Sequence, residues 1–133
     1  MTNEIRKVVY NADFGGFGLS EAAINWLQAN AREELRNFIK EKNKEYDAKP
    51  DEYLKTWESV SYAIRYDFNT KGISRHDKDL VACVEALGCE EASGRYASLA
   101  IKELHGRAYR IEYYDGRENI IEPDEEKYIF IND

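Results

Sequence analysis

Residues 8–20 constrain the fold more than any other stretch of this sequence. They join a short apolar strand pattern to three glycines, which lead directly into the longest helical pattern of the chain. Glycine adopts positive φ angles and permits close approach to its backbone, and free amides at a helix start attract anions. The stretch therefore predicts a strand–loop–helix unit with a candidate anion-binding loop. The alternative is a tight turn that only buries Phe14 and Phe17 in the core.

Two helices are predicted. The first runs from the N-cap Ser20 to about residue 46, before a break at residues 47–51 that contains Pro50. Its apolar side chains recur at spacings of three and four: Ile24, Leu27, Ala31, Leu35 and Phe38. The second helix begins at the N-cap Asp77 and stops at Gly88. Each helix has a single apolar face, so we expect each to bury that face against other elements of the fold.

Strand patterns occupy much of the remaining chain. They cover residues 5–11, 61–68, 97–104, 108–114 and 118–122. Asp115-Gly116 lies between two alternating runs and predicts a two-residue hairpin. The apolar segment 127–131 is either an edge strand or a tail that mediates dimerisation. We therefore expect one domain over residues 1–133 with an α+β fold: one antiparallel sheet with the long N-terminal helix and the shorter second helix packed on one face.

The charge balance excludes some classes of partner. The chain has 26 acidic and 19 basic side chains and a net charge of −7. A duplex nucleic-acid binder needs a concentrated basic face, so we expect no duplex DNA or RNA partner. The acidic residues are interleaved with lysines, which also disfavours mimicry of DNA.

The two cysteines, Cys83 and Cys89, fit neither a disulfide framework nor a zinc-ligand spacing. Cys83 lies on the apolar side of a helical pattern and is predicted to be a small core residue. No signal-peptide pattern and no run of membrane-spanning length are present. We expect an intracellular protein with reduced thiols, no metal and no membrane association.

No catalytic motif emerges from the residues. The glycines match neither a phosphate-binding P-loop nor a dinucleotide fingerprint, and a cysteine–histidine nucleophile site lacks any sign of an oxyanion hole. Four arginines lie near glycines or element ends, and tyrosines follow them closely: Arg75, Arg95, Arg107 and Arg110, with Tyr96, Tyr109, Tyr113 and Tyr114. Arginine forks and flat rings suit a phosphate-bearing base. They suit surface salt bridges equally well, and Arg75 has Asp77 and Asp79 as nearby partners.

Four blocks of sequence resemble a widespread family of small proteins from tailed phages and large DNA viruses. The blocks are Val-Val-Tyr-Asn…Gly-Gly-Phe-Gly-Leu-Ser (8–20), Arg-His-Asp-x-Asp-Leu-Val…Val-Glu-Ala-Leu-Gly (75–88), Ala-Ser-Gly-Arg-Tyr-Ala-Ser-Leu (92–99) and Tyr-Arg-Ile-Glu-Tyr-Tyr-Asp-Gly-Arg-Glu (109–118). Residues 46–72 match no such pattern. The family usually has proline in place of Lys78 and asparagine in place of Ser93.

The resemblance implies an accessory phage protein that acts in the host cytoplasm as an inhibitor of host defence. One class of such inhibitors sequesters cyclic nucleotide signals made by bacterial CBASS or Thoeris systems. We therefore expect a cyclic nucleotide sponge, with cyclic dinucleotides favoured, that is not an enzyme and needs no cofactor. The alternatives are a protein-binding inhibitor or regulator of a host complex, and an enzyme that degrades the signal.

The expected ligand site joins the glycine loop, the start of the second helix and the Arg95 segment, across a subunit boundary. The candidate ligand-binding residues are Phe14, Gly15, Gly16, Phe17, Gly18, Arg75, His76, Arg95, Tyr96 and Arg110. Backbone amides and arginine forks would hold phosphates, while aromatic rings would stack on bases. Ten tyrosines and the apolar segment 127–131 also predict a homo-oligomer, either a dimer or a tetramer.

Overall fold

The structure is a computed structural model that describes residues 5–48, 55, 57–61 and 74–123. Within these residues, helices and antiparallel strands are mixed. The elements are β1 (Arg6–Asn11), α1 (Glu21–Asn30), α2 (Glu33–Ala48), α3 (Lys78–Leu87), the single-turn α4 (Cys89–Ala92), β2 (Leu99–Leu104), β3 (Arg110–Tyr114) and β4 (Arg117–Ile121). Residues 57–61 are also helical. Ser61, the first residue of the predicted strand 61–68, belongs to this helical segment and not to a strand. Residues 62–68 and the segment 127–131 lie outside the described residues.

The hairpin predicted at Asp115-Gly116 is confirmed. β3 and β4 pair antiparallel, with Tyr114 opposite Arg117. The two turn residues have φ angles of 49° and 87°, as a type I′ turn requires. The predicted caps are also confirmed, because Ser20 accepts a hydrogen bond from the start of α1 and Asp77 accepts two from the start of α3.

The long N-terminal helix predicted from residue 20 to about 46 is wrong as a single element. α1 ends at Asn30, Ala31 has an extended backbone with ψ of 165°, and α2 begins at Glu33. The cause lies between the two helices: the amide of Arg32 donates to Asp79, and its guanidinium donates to both Asp77 and Asp79. Residues at the start of α3 therefore hold Arg32 in the break between α1 and α2. The apolar face of α1 continues on α2.

The predicted single sheet is also not observed, since the described strands form two separate two-stranded sheets. β1 pairs antiparallel with β2, and β3 pairs with β4. At the end of β1, the Asn11 amide donates to the Glu118 carboxylate and its side-chain amide donates to the Gly116 carbonyl. These side-chain bonds hold β1 beside β4 without the backbone ladder that would merge the two sheets.

One hydrophobic cluster lies between the helices and the β1–β2 sheet. α1 contacts α2, α3 and α4, while α3 contacts β1 and α4 contacts β2. Its buried members include Val9, Phe17, Leu19, Ile24, Leu27, Ala31, Leu35, Ile39, Leu80, Cys83, Val84 and Leu99. The core role predicted for Cys83 is therefore confirmed. No helix in the described part of the chain has the length and apolar character needed to cross a membrane.

Candidate functional site

The glycine loop, residues 13–18, is pressed between two other parts of the chain. A Cβ atom added at Gly15 would lie 1.6 Å from the backbone oxygen of Tyr96. A Cβ atom added at Gly116, in the hairpin turn, would lie 2.4 Å from the backbone oxygen of Phe14. Close backbone packing therefore explains these glycines without a ligand.

Three backbone amides near the start of α1 are already bonded within the protein. The Leu19 amide donates to Ser61 Oγ at 2.7 Å, and the Ser20 amide donates to the Ala92 carbonyl at 2.9 Å. The Ala23 amide donates to Ser20 Oγ at 3.1 Å. An anion at this end of α1 could not use these three amides without displacing their partners in the fold.

The glycine loop does meet the Arg95 segment, as the sequence predicted. Gly15, Gly16, Phe17 and Gly18 line one cleft with residues 94–97 and with Trp57 and Glu58. The cleft holds only about 60 Å³, which is room for about two water molecules. Arg95 lies 3.7 Å from Glu58, and Tyr96 is 68% exposed. A nucleotide does not fit in this cleft.

Arg75 lies in the interior, so the phosphate-binding role predicted for it is not supported by the structure. Arg75 is 1% exposed and forms two hydrogen bonds to the Glu118 carboxylate, at 2.5 and 2.8 Å. Its guanidinium carbon lies 3.7 Å from the ring centroid of Phe17. Phe17 is buried as predicted, whereas Phe14 is 52% exposed. A ligand could reach Arg75 only by breaking the pair with Glu118.

His76 and Arg110 line a separate cleft, which we name the β3 cleft. Ser74, Arg75 and His76 form one side of it, and Tyr109, Arg110, Ile111 and Tyr113 form the other. Its volume is about 470 Å³. Arg110 lies 3.1 Å from the Glu112 carboxylate, and both side chains are about half exposed.

His76 is bonded across to Tyr109. The distance between His76 Nδ1 and the Tyr109 hydroxyl is 2.7 Å, and the two rings meet edge to face with centroids 5.7 Å apart. Burial raises the pKa of the Tyr109 hydroxyl, so it stays protonated at neutral pH. This His76–Tyr109 bridge therefore joins the start of α3 to the segment that precedes β3.

A third cleft, larger than the two described above, lies between the start of β1, the end of β2 and one side of α3. We name it the β1–α3 cleft. Its volume is about 580 Å³ and it is open to solvent. Its lining includes four basic residues and one acidic residue: Arg6, Lys7, Lys78, Arg107 and Glu85. Apolar side chains and the rings of the His76–Tyr109 bridge complete the wall.

Within the described residues, one of the four basic residues that line the β1–α3 cleft forms an ion pair. Lys7 Nζ lies 2.6 Å from Glu85, and this hydrogen bond raises the pKa of Lys7. Among the described residues, Arg6, Lys78 and Arg107 have no carboxylate within ion-pair distance. Clefts lined by one sign of charge concentrate the field inside them. This cleft is therefore suited to an anion, although the whole chain is acidic.

Glu122 fixes the turn that carries Arg107. Its buried carboxylate accepts hydrogen bonds from the backbone amides of His105 and Gly106, at 2.8 and 3.3 Å, and contacts the His105 ring at 3.1 Å. Burial opposes the charge of Glu122, but the hydrogen bonds from His105 and Gly106 outweigh it and lower the pKa below its usual value. The turn after β2 is thus tied to the end of β4.

Sequence reasoning missed Arg6, Lys7 and Lys78, and it named Arg107 only as one of four arginines. The missing signal is long-range, since the cleft joins residues 5–7, 76–85 and 104–109. The alternation of β1 places Arg6 and Val8 on one face and Lys7 and Val9 on the other, which gives no reason to group these cations. Only the pairing of β1 with β2 and the packing of α3 against β1 bring them to one cleft.

The described residues offer little to a metal ion. They contain no group of three or more histidine, cysteine, aspartate or glutamate side chains placed to hold a metal. Cys83 is fully buried, and this burial raises the pKa of its thiol to about 12.

Comparisons with protein-family models, curated proteins and solved structures give no match to this chain.

Proposed function

We propose that this protein binds a cyclic nucleotide and sequesters it without cleaving it. Cyclic dinucleotides are the favoured class, and the biological role is evasion of a nucleotide-based host defence by a phage protein in the host cytoplasm. The observation that carries the proposal is the β1–α3 cleft, whose lining includes four basic residues and one acidic residue in a chain of net charge −7.

The cleft has the size and chemistry that a nucleotide needs. Its volume of about 580 Å³ lies within the range of about 300–1,000 Å³ common for small-molecule sites. Arg107 offers a planar guanidinium that matches two phosphate oxygens, and Lys78 offers a point charge. Val81, Leu104 and the ring of Tyr109 supply the apolar surface on which a base stacks. Phosphate and base thus find complementary groups in one cleft.

Affinity must come from several contacts at once. A sponge that competes with a host receptor needs a dissociation constant near nanomolar, which corresponds to about 12 kcal/mol. One hydrogen bond to a charged group contributes about 1.5–3 kcal/mol. Arg6, Lys78 and Arg107 can each add such a contact without first giving up a carboxylate among the described residues. The proposal assigns no covalent step to any residue.

The test is a binding titration with matched arginine variants. The purified protein is titrated by calorimetry with cyclic AMP, 3′,3′-cyclic di-AMP and 3′,3′-cyclic GMP-AMP. Arg107→Ala and Lys78→Ala should each weaken binding at least about tenfold, or ~1.4 kcal/mol. Arg95→Ala is the control, because Arg95 is an exposed arginine of the small cleft that is too small for a nucleotide.

The outcomes separate the competing sites and activities. Loss of nucleotide binding in Arg95→Ala together with normal binding in Arg107→Ala would show that the nucleotide binds beside the glycine loop and not in the β1–α3 cleft. No heat with any of the nucleotides would overturn the proposal. After heat denaturation the supernatant should contain intact nucleotide by chromatography, whereas altered nucleotide would show that the protein is a degrading enzyme.

A second candidate function is inhibition of a host protein complex. Its support is an exposed aromatic face around the glycine loop, formed by Phe14, Tyr96 and Tyr114, which are 52%, 68% and 68% exposed. The rings of Phe14 and Tyr114 contact each other edge to face at 6.1 Å. Aromatic and arginine side chains dominate the centres of protein interfaces, and Arg95 and Arg117 flank these rings.

The same aromatic face supports the proposal of a homo-oligomer. Light scattering on the wild type at micromolar concentration should give a dimer or tetramer of the 15.5 kDa chain. Tyr114→Lys should lower that mass if the aromatic face is the contact, with Tyr113→Lys as the control on the neighbouring, oppositely directed position. A mass of one chain for the wild type would contradict the oligomer. Unchanged mass in Tyr114→Lys would place the contact elsewhere.

A further inference from the structure

The β1–α3 cleft and the β3 cleft share one wall. His76 and Tyr109 line both of them. The wall is the His76–Tyr109 bridge, which is a single hydrogen bond of 2.7 Å between two side chains. His76 is exposed, so no core packing holds its ring in place. The two clefts therefore adjoin each other on either side of a barrier that a ligand can straddle.

Each cleft has an arginine that the other lacks and at least one aromatic ring. In the β1–α3 cleft these are Arg107 and the shared Tyr109, and in the β3 cleft they are Arg110 and Tyr113, which is 55% exposed. Arg110 is paired with Glu112, but both side chains are about half exposed. An exposed pair of this kind contributes little to stability. Replacement of the Glu112 carboxylate by a phosphate therefore loses little from this pair itself.

The two volumes favour a ligand with two similar halves. They are about 580 and 470 Å³, and each alone lies in the range of a single small-molecule site. A cyclic mononucleotide has one base and one phosphate and engages one cleft. A cyclic dinucleotide has two bases and two phosphates on one ring, and its two halves lie side by side.

We infer that the β1–α3 cleft and the β3 cleft are the two halves of one site for a cyclic dinucleotide, with one base in each and the sugar–phosphate ring across the His76–Tyr109 bridge. This inference rests on the proposed function and adds Arg110 and Tyr113 as the residues that distinguish two bases from one. Arg107 contributes to any nucleotide, whereas Arg110 contributes only when a second nucleotide is present.

The experiment compares two ligands on three proteins. Cyclic AMP and 3′,3′-cyclic di-AMP are titrated by calorimetry into the wild type, Arg107→Ala and Arg110→Ala. The wild type should bind the dinucleotide at least about tenfold more tightly than cyclic AMP. Arg110→Ala should lose that preference, because it weakens binding of the dinucleotide more than binding of cyclic AMP. Arg107→Ala should weaken both ligands.

Control variants and the remaining outcomes keep the inference distinct from the proposed function. Arg117→Ala removes an exposed arginine of the same hairpin that lines neither cleft, and it should bind both ligands like the wild type. Arg110→Gln and thermal melting of every variant exclude loss of folding. If Arg107→Ala weakens both ligands but Arg110→Ala and Arg110→Gln bind the dinucleotide normally, the two-cleft site is overturned and the proposed function stands. If neither ligand binds the wild type, both are overturned.

Discussion

Arg75 and Glu118 form a two-bonded ion pair in the interior, with each side chain 1% exposed and the Phe17 ring stacked on the guanidinium. The Glu118 carboxylate also accepts the amide of Asn11 at 2.8 Å. The backbone carbonyl of Arg75 accepts the amide of Val9 at 2.8 Å. One pair thus ties the segment before α3, strand β4 and strand β1 together.

Removal of one partner of this pair should destabilise the protein strongly. Arg75→Ala leaves the Glu118 carboxylate buried without its cation, and breaking a buried pair in this way costs about 3–5 kcal/mol. Urea denaturation followed by circular dichroism measures the loss in the free energy of unfolding. Arg95→Ala, which removes an exposed arginine, should change it by less than about 1 kcal/mol.

The double variant Arg75→Met/Glu118→Leu tests the cause of that loss. When both charges are replaced by apolar side chains of similar size, no buried charge is left unpaired, and such replacements are often neutral or stabilising. The double variant should therefore recover most of the stability that Arg75→Ala loses. A double variant as unstable as the single one would show that the fold needs the bonds themselves, including the one to Asn11.

Gly15→Ala should be destabilising by about 1–3 kcal/mol, because small-to-large changes in tightly packed positions force backbone shifts. The new Cβ atom would lie 1.6 Å from the backbone oxygen of Tyr96, which cannot rotate away as a flexible side chain would. Gly106→Ala is the matched control, since no atom lies within 4 Å of its added Cβ. Equal urea midpoints for Gly15→Ala and Gly106→Ala would contradict the close packing of the glycine loop.

The elements that sequence reasoning predicted are those set by neighbouring residues. The Asp115-Gly116 hairpin follows from the positive φ angles that both turn positions need, and the caps at Ser20 and Asp77 follow from side chains that bond amides two or three residues later. For Phe17, which was a candidate ligand-binding residue, the alternative of a core position is the one observed, whereas Phe14 is exposed. In each case the sequence contains both partners of the interaction within a few positions.

The features that sequence reasoning missed depend on distant partners. Arg75 has Asp77 and Asp79 beside it in sequence, yet it pairs with Glu118 and leaves those two carboxylates to Arg32. The pairing of Arg32 with these two carboxylates also explains the break between α1 and α2, which the spacing of the apolar residues did not reveal. The sequence shows the sign of each charge but not its partner in the fold. The candidate site inferred from the structure is therefore the β1–α3 cleft and not the glycine loop.

Cys83 and Cys89 should differ in reactivity. Cys83 is fully buried, and its thiol has a pKa raised by burial to about 12, so it holds almost no thiolate at pH 8. Cys89 is partly exposed. In the native protein a thiol reagent at pH 8 should modify one cysteine quickly, and Cys89→Ser should remove that fast phase. Two fast equivalents in the native wild type would show that Cys83 is reached without unfolding.

Glu122 should make the stability depend on pH in the acid range. Its pKa in the folded protein is lowered from the ordinary value of 4.5 by hydrogen bonds from His105 and Gly106, despite its burial. A group with a lowered folded pKa contributes stability that is present above the unfolded pKa and is lost as the pH falls toward the folded value. The contribution of Glu122 should therefore be full at pH 7 and decline below about pH 4.5.

Comparison with Glu122→Gln isolates this contribution from the other carboxylates, which titrate in both proteins alike. Glutamine keeps the shape of the side chain but carries no charge, so it resembles the protonated form of Glu122. Thermal melting at pH values from 7 down to 3.5 should show Glu122→Gln less stable than the wild type at neutral pH. The difference should shrink as the pH falls below about 4.5, where the Glu122 carboxylate of the unfolded wild type begins to gain its proton. A difference that stays constant over this range would mean that the turn before Arg107 is held by shape and not by the charge of Glu122.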